Sequence, residues 1–245
     1  MLRDTEAHHA RDVLRLKPGD KVVVFNGCGR EITADVVDLA HGKVGLRKLH
    51  ESETAPLRCR IVLAQAIPKG KNMELIVQKA VEIGASEIFP LISERTIIDL
   101  DPDEAAQKRV KWQTIAIEAA KQCGQNWLPE VHVPQKLKAF FATVEAGVSP
   151  AKVQAPRPAR PPLQLIGSLQ PGALHLKKIL AEYSSEHRQL PSSVLMFIGP
   201  EGDFTPAEIA LARSHGCLPI TLGPIVLRVE TAAIYCLSVL SYELF

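Results

Sequence analysis

Two loops hold charged side chains in nearly the same setting. The first, "IGPEGD" (residues 198–203), carries Glu201; the second, "LGPIVLRVE" (residues 222–230), carries Arg228 and Glu230. In each, a Gly-Pro pair follows an apolar run and leads into a helix signal. In the first loop Gly199 and Gly202 allow the main chain to come close to a ligand, and the helix opening at Thr205 turns unsatisfied N–H groups towards it. In the second, backbone groups across residues 222–227 are free to hydrogen-bond a base or an amide. The chemistry this predicts is recognition of a polar ligand largely through main-chain groups, with fixed charge at its rim. One such loop alone would be an ordinary turn with solvated charges. Two, at the carboxyl ends of neighbouring strands, predict a pocket, because open α/β sheets bind ligands along that edge.

The elements that must position these loops are legible from residue 57 onwards, where strands alternate with helices. "CRIVLAQAI" (residues 59–67) is a continuous apolar run, as expected of a strand covered on both faces. "KNMELIVQKAVEIGA" places Met73, Ile76, Val77, Ala80 and Ile83 on one helical stripe, with Asn72 as a candidate cap and Gly84 as the stop. "EIFPLI" is the next strand. A helix follows from the cap Asp101 and Pro102 to Gly124. "LQLIGSL" and "SVLMFIG" are two further strands, "TPAE" (residues 205–208) is a capping box, Gly216 ends that helix, "LPITL" is a strand, and an apolar helix starts near Glu230. The alternation predicts an α/β fold with a mainly parallel sheet and helices on both faces.

Residues 1–60 read differently. "DKVVVFNG", "REITADVVDL" and "KVGLRKL" are strand-like, with a Pro-Gly turn before them and a His41-Gly42 turn between the last two. They predict a small barrel of hairpins. The acidic "HESET" before Pro56 marks a boundary, dividing the chain into 1–56 and 57–245. The proline-rich segment 149–162 is expected to be an exposed loop or linker. Gly27-x-Gly29 after a strand is not a dinucleotide fingerprint, since the following segment alternates with period two where a helix should stand. "PKGKN" (residues 68–72) lacks the upstream glycine and the Ser or Thr of a P-loop.

The totals narrow the classes. With 245 residues, 46% hydrophobic and 23% charged, the chain has the composition of a soluble globular protein. A formal net charge of +2 means that any basic footprint is local. No run approaches a membrane span, and the first residues have no apolar signal core. Five scattered cysteines without C-x-x-C spacing predict reduced thiols in the cytoplasm, and no histidine spacing suggests a metal site.

"IGPEGDFTPAEIALA" with "LGPIVLRVETAA" resembles the signature of the bacterial small-subunit (16S) rRNA uridine-N3 methyltransferase family of the SPOUT superfamily. "PKGKNMELIVQKAVEIGASEIFPLISERT", "EAAKQCGQNWLPEV" and "HHARDVLRLKPGDKVVVFNGCGRE" resemble its middle and N-terminal segments, so the likeness covers nearly the whole chain. It implies a C-terminal trefoil knot binding S-adenosylmethionine (SAM), an N-terminal PUA-like RNA-binding barrel, a homodimer and 16S rRNA as substrate. The chain departs from the pattern in having Asp203 where a glycine is usual, Ile225 and Gln125 where arginine is usual, and Val229 where threonine is usual.

The resemblance assigns SAM to Ile198, Gly199, Pro200, Gly202, Leu222, Gly223, Ile225 and Leu227. Uracil N3 is a poor nucleophile while protonated, so a base must take its proton or a cation must stabilise the anion. Glu201 is the candidate base and Arg228 the candidate cation; no metal is needed. Plainer roles are a backbone contact for Glu201 and an ion pair with Glu230 for Arg228. Arg11, Arg15, Lys69, Lys71, Arg95 and Lys121 are the expected RNA contacts, with an exposed strand position as the plain alternative for Arg15. The competing functions are an inactive RNA-binding protein of the same fold and an enzyme of this superfamily acting on another RNA.

Overall fold

The computed structural model describes residues 1–40, 42–145 and 162–245. His41 of the expected turn and all but the last residue of the proline-rich segment therefore lie outside the described residues. The chain divides into two compact units, Met1–Pro56 and Leu57–Phe245.

The first unit opens with helix α1 (Asp4–His8), continued by a π-helical turn over His9–Val13, where the sequence suggested strand-rich chain. Ala7 and Ala10 share one helical face and are both buried. Arg15 follows this helical stretch with a left-handed φ of +54°, so it is not a strand residue. Strands β1 (Lys21–Phe25), β2 (Arg30–Ala40) and β3 (Lys43–Glu53) form an antiparallel sheet in that order. Val36 and Val44 pack with Ala7 and Ala10, and Leu2, Leu16, Val22, Leu39 and Leu46 close the small core. The acidic run before the boundary belongs to β3 as far as Glu53: Glu51 pairs with both Arg30 and Lys48, and Ser52 bonds Glu31. Leu2 makes a single antiparallel bridge to Val44, a remnant of pairing before α1.

The second unit runs β4 (Arg60–Ala66), α2 (Asn72–Ile83), β5 (Glu87–Ile92), α3 (Pro102–Cys123), β6 (Glu130–Val131), β7 (Gln135–Lys136), α4 (Leu137–Glu145), β8 (Leu163–Gly167), β9 (Leu174–His175), α5 (Leu176–His187), β10 (Ser193–Ile198), α6 (Pro206–Ser214), β11 (Leu218–Thr221) and α7 (Val229–Leu244). Its sheet has the order β6-β5-β4-β10-β8-β11-β9, with β7 also on β5, and every pairing is parallel. Nearly every residue of β4 and all of β10 is buried, which is why these strands read as unbroken apolar runs. Alternate residues serve opposite faces. Val62, Ala64, Leu195 and Phe197 pack with Phe140 and Phe141 of α4 and with Ile209 and Ala212 of α6. Ile61, Leu63, Val194 and Met196 point the other way, to the face where α7 lies against β4 and β10 and α2 lies against α7.

Local signals set the helix ends. Asp101 accepts from the Glu104 N–H at 2.8 Å in a full capping box with Pro102 next to it. Gly84 ends α2 with φ +99°, and a Cβ there would lie 2.8 Å from the Phe245 ring, so the C-terminal residue is packed where only glycine fits. Asn72 does not cap α2. Lys71 precedes the helix without a side-chain cap, and Asn72 opens it with its amide directed elsewhere.

Candidate functional site

The strand order decides which loops meet. β10 lies between β4 and β8, and β11 lies beside β8, so four strand ends that are far apart in sequence become neighbours. The chain leaves β4 for β5 in one direction while β10, β8 and β11 extend in the other. This reversal leaves a crevice beyond the strand ends.

The first Gly-Pro loop begins from an anchored residue. Phe197 is buried, its ring stacked on Phe141 at 5.3 Å and edge-on to Phe140 at 5.5 Å. The loop then turns back on itself: the Asp203 N–H donates to the Pro200 carbonyl at 3.1 Å, and Gly202 and Asp203 take left-handed φ values of +85° and +71°. Gly199 lies under this turn, where a Cβ would be 3.0 Å from the Phe204 nitrogen. The turn is held from outside as well. Arg95 donates to the carbonyls of Gly202 and Asp203, and buried Glu208, which closes the capping box with Thr205, also accepts from the Glu94 N–H at 2.8 Å.

The second loop leaves β11 through Gly223, at φ +120°. The Thr221 hydroxyl steadies it, bonding the Gly223 N–H and carbonyl at 3.4 and 3.3 Å. Ile225 and Val226 are exposed, and among the described residues the main chain of residues 225–227 makes no hydrogen bond within the protein. Arg228 is the N-cap residue of α7; its carbonyl accepts from Ala232 while its exposed side chain caps nothing.

These two loops share one cleft with two further segments. All eight expected SAM residues line it, together with Glu201, Arg228 and Glu230. The third wall, Gly167, Ser168 and Leu169 after β8, was not anticipated, nor was Asn72. The sequence showed only a strand in "LQLIGSL". That its end falls between the two Gly-Pro loops follows from β8 pairing with both β10 and β11. Asn72 was visible as a polar residue at a helix start, but its partner is 158 positions away: its Nδ2 donates to Glu230 Oε2 at 3.2 Å.

Of the three cleft carboxylates, Glu201, Asp203 and Glu230, the first and last are therefore held from the same short segment, Lys69–Asn72. Glu201 accepts from the Lys69 backbone N–H, at 3.1 and 3.4 Å to its two oxygens, while Glu230 accepts from Asn72. Among the described residues Arg228 has no ion pair, so the expected alternative, a bond to Glu230, is not what the structure contains. Of the expected RNA contacts, Lys69 and Lys71 are exposed beside the cleft and Arg95 braces the first loop. Lys121 is half-buried at the end of α3 beside Glu118. Arg11 and Arg15 belong to the first unit, where Arg11 is bound to Asp12.

The cleft fits the SAM implied by the sequence. Glycines at 167, 199, 202 and 223 leave stretches of its lining without side chains, Ile198, Leu222 and Leu227 give apolar walls for a purine, and the carboxylates of Glu201, Asp203 and Glu230 suit a ligand with cationic groups.

Comparison with known proteins gives the family. A family model for the RNA methyltransferase domain matches residues 55–241, and one for the RNA methyltransferase PUA domain matches residues 2–48. The chain is 35% identical over 237 residues to ribosomal RNA small subunit methyltransferase E of Synechocystis, covering 97% of this chain and 71% of that one. Two solved structures with bound SAM superpose closely. One is a methyltransferase of Legionella pneumophila, with a TM-score of 0.80 and 36% identity, covering 97% of this chain and 88% of that one. The other is the small subunit methyltransferase E of Neisseria gonorrhoeae, with a TM-score of 0.81 and 29% identity, covering 99% and 90%. With both domain models matched over nearly its whole length, the chain belongs to the family of RNA methyltransferases that carry an N-terminal PUA domain.

Proposed function

We propose that this protein methylates N3 of one uridine in small-subunit (16S) ribosomal RNA, with SAM as methyl donor and no metal. Bound in the cleft, SAM supplies an electrophilic methyl group on a sulfonium. The residues of this chain must then align the uracil, accept its N3 proton and hold the resulting negative charge. The observation that carries the reading is the state of Arg228: it stands at the mouth of the cleft without an ion pair among the described residues, while both neighbouring carboxylates are engaged. Its guanidinium is free to bond the uracil oxygens as they gain charge. Glu201 is the proposed proton acceptor, steadied at the cleft edge by the Lys69 N–H. The threading of the trefoil knot belongs to the same reading, supported by the strand order and by α7 lying against β4 and β10.

Labelled SAM incubated with unmodified small ribosomal subunits should give one labelled base, which mapping should identify as N3-methyluridine. A product on another atom, or on another RNA alone, sinks the reading. In Glu201→Gln the rate should fall and then recover as pH rises towards ionisation of uracil N3 itself. A pH profile unchanged from wild type removes Glu201 as the base.

The rest of the proposal concerns the setting. A cytoplasmic setting is proposed from the same reading, since the substrate is ribosomal RNA. A homodimer through the second unit is proposed for α7. The helix has one buried face and one exposed: Ala232, Ala233, Cys236, Leu237 and Leu240 face the protein, while Thr231, Tyr235, Ser238 and Tyr242 form an exposed stripe at helical spacing. Tyr242, 88% exposed, is a large amphipathic side chain suited to a second copy. A dimeric mass at micromolar concentration is expected by light scattering; a monomeric mass overturns the proposal.

A further inference from the structure

We propose that Asp203 is a positioning residue that latches the loop after β8 to the loop after β10 and so builds the wall of the SAM cleft before the ligand arrives. The proposal rests on the SAM reading of the site and deepens it.

Asp203 holds a conformation, φ +71°, that ordinarily favours glycine. A side chain kept in that position needs compensating contacts, and both carboxylate oxygens make them. Oδ1 accepts from the Phe204 N–H at 2.8 Å, within its own loop. Oδ2 accepts from the Leu169 N–H at 2.8 Å, across the cleft wall and 34 residues away in sequence. These are charge-assisted bonds, about twice as strong as neutral ones.

The bond to Leu169 is placed where it has the most effect. Leu169 lines the cleft between two fixed neighbours: the Ser168 N–H is held by the Ile220 carbonyl at 2.9 Å, and the Gln170 N–H by the Ser168 hydroxyl at 3.1 Å. Leu169 is 61% exposed and gains little from packing, so its position depends on the main chain. Asp203 fixes that main chain at its midpoint. Its own backbone is fixed in turn by Arg95, whose guanidinium reaches the Asp203 carbonyl at 3.4 Å and bonds the Gly202 carbonyl beside it. Arg95, Asp203 and Leu169 thus form one line of bonds through the cleft rim. A wall ordered in advance lowers the entropy lost on binding and should tighten SAM affinity without touching the reacting atoms.

Two variants test this. Asp203→Gly removes both bonds and suits the backbone conformation. Asp203→Asn keeps the size and the tolerance of left-handed φ but has one acceptor oxygen for two N–H groups. Hydrogen exchange in the free protein should show the Leu169 amide exchanging at least about tenfold faster in Asp203→Gly, with Asp203→Asn intermediate. Calorimetry should show SAM bound about tenfold more weakly by Asp203→Gly, while the rate at saturating SAM stays within about twofold of wild type. Unchanged Leu169 exchange in both variants, or unchanged SAM affinity despite faster exchange, overturns the latch. If Asp203→Gly does not fold, Asp203→Asn decides by the same two measurements. The result is separable from the function proposed above. A wild-type protein that binds SAM but leaves ribosomal RNA unmethylated refutes that function and leaves the latch test intact. A wild-type protein that binds no SAM refutes both the cofactor assignment and the latch.

Discussion

Gly199→Val should abolish measurable SAM binding, weakening it at least about 100-fold, equivalent to about 2.7 kcal/mol. The cause is close approach. Gly199 has no left-handed φ, but the loop folds back over it so tightly that a Cβ would lie 3.0 Å from the Phe204 nitrogen, 3.2 Å from the Asp203 carbonyl carbon and 3.2 Å from the Phe204 ring. Two of these are main-chain atoms, which cannot swing aside as a long side chain can. The turn from Gly202 to the start of α6 must then give by a few tenths of an ångström, and the Cγ atoms of valine demand more. Gly223→Val should also weaken SAM binding, for another reason: a Cβ there meets nothing within 4 Å, but φ is +120°, which valine adopts only under strain. The pair therefore separates crowding from backbone strain. Gly199→Ala should already be defective, because its Cβ alone makes the close contact, whereas Gly223→Ala should keep more affinity than Gly223→Val, having no β-branch to add to the strain. Calorimetric titration with SAM checks all four, with circular dichroism to confirm folding. Unchanged affinity in both valine variants would place the pocket elsewhere.

The two loops were legible because their signals are local. Gly-Pro after an apolar run, a capping box at Thr205 and Glu208, and glycine at a forced turn are readable within a few residues, and the structure places those features where the spacing put them. The parallel sheet was legible for the same reason, since β4 and β10 are buried on both faces. What the sequence concealed is long-range. Leu169 is part of the cleft because β8 is inserted between β10 and β11, an order no periodicity encodes. Asn72 had the composition of a helix cap, and a cap bond is a local alternative; tertiary structure gave its amide to Glu230 instead. Lys69 offered a charge to the sequence reader, yet its first visible contribution is a backbone N–H to Glu201. The helical start of the first unit was missed because five-residue helices carry too little periodicity to outweigh a strand-rich context.

That pairing of Glu201 and Glu230 with the Lys69–Asn72 loop sharpens the expectation for Arg228. A guanidinium bonded to a neighbouring carboxylate would have to give up that partner to serve a substrate. Arg228 has no ion pair among the described residues, and its backbone is fixed by the first bond of α7, from the Ala232 N–H at 2.8 Å. A fixed cation that gains partners only as uracil becomes an anion stabilises the transition state more than the ground state, which is what raises kcat. Arg228→Ala should therefore lower the single-turnover methylation rate at saturating RNA by about 100- to 1000-fold, with SAM affinity nearly unchanged. Lys69 and Lys71 should behave in the opposite way. Both are exposed on the loop after β4 and suited to phosphates, so changing both to alanine should weaken RNA binding and reduce its salt slope by about 1 to 2, with the rate at saturating RNA nearly kept. The two outcomes divide the reaction into a chemical part on α7 and a binding part on the β4 loop. If Arg228→Ala methylates saturating RNA at the normal rate, the arginine is structural and the charge on the uracil is held by another group.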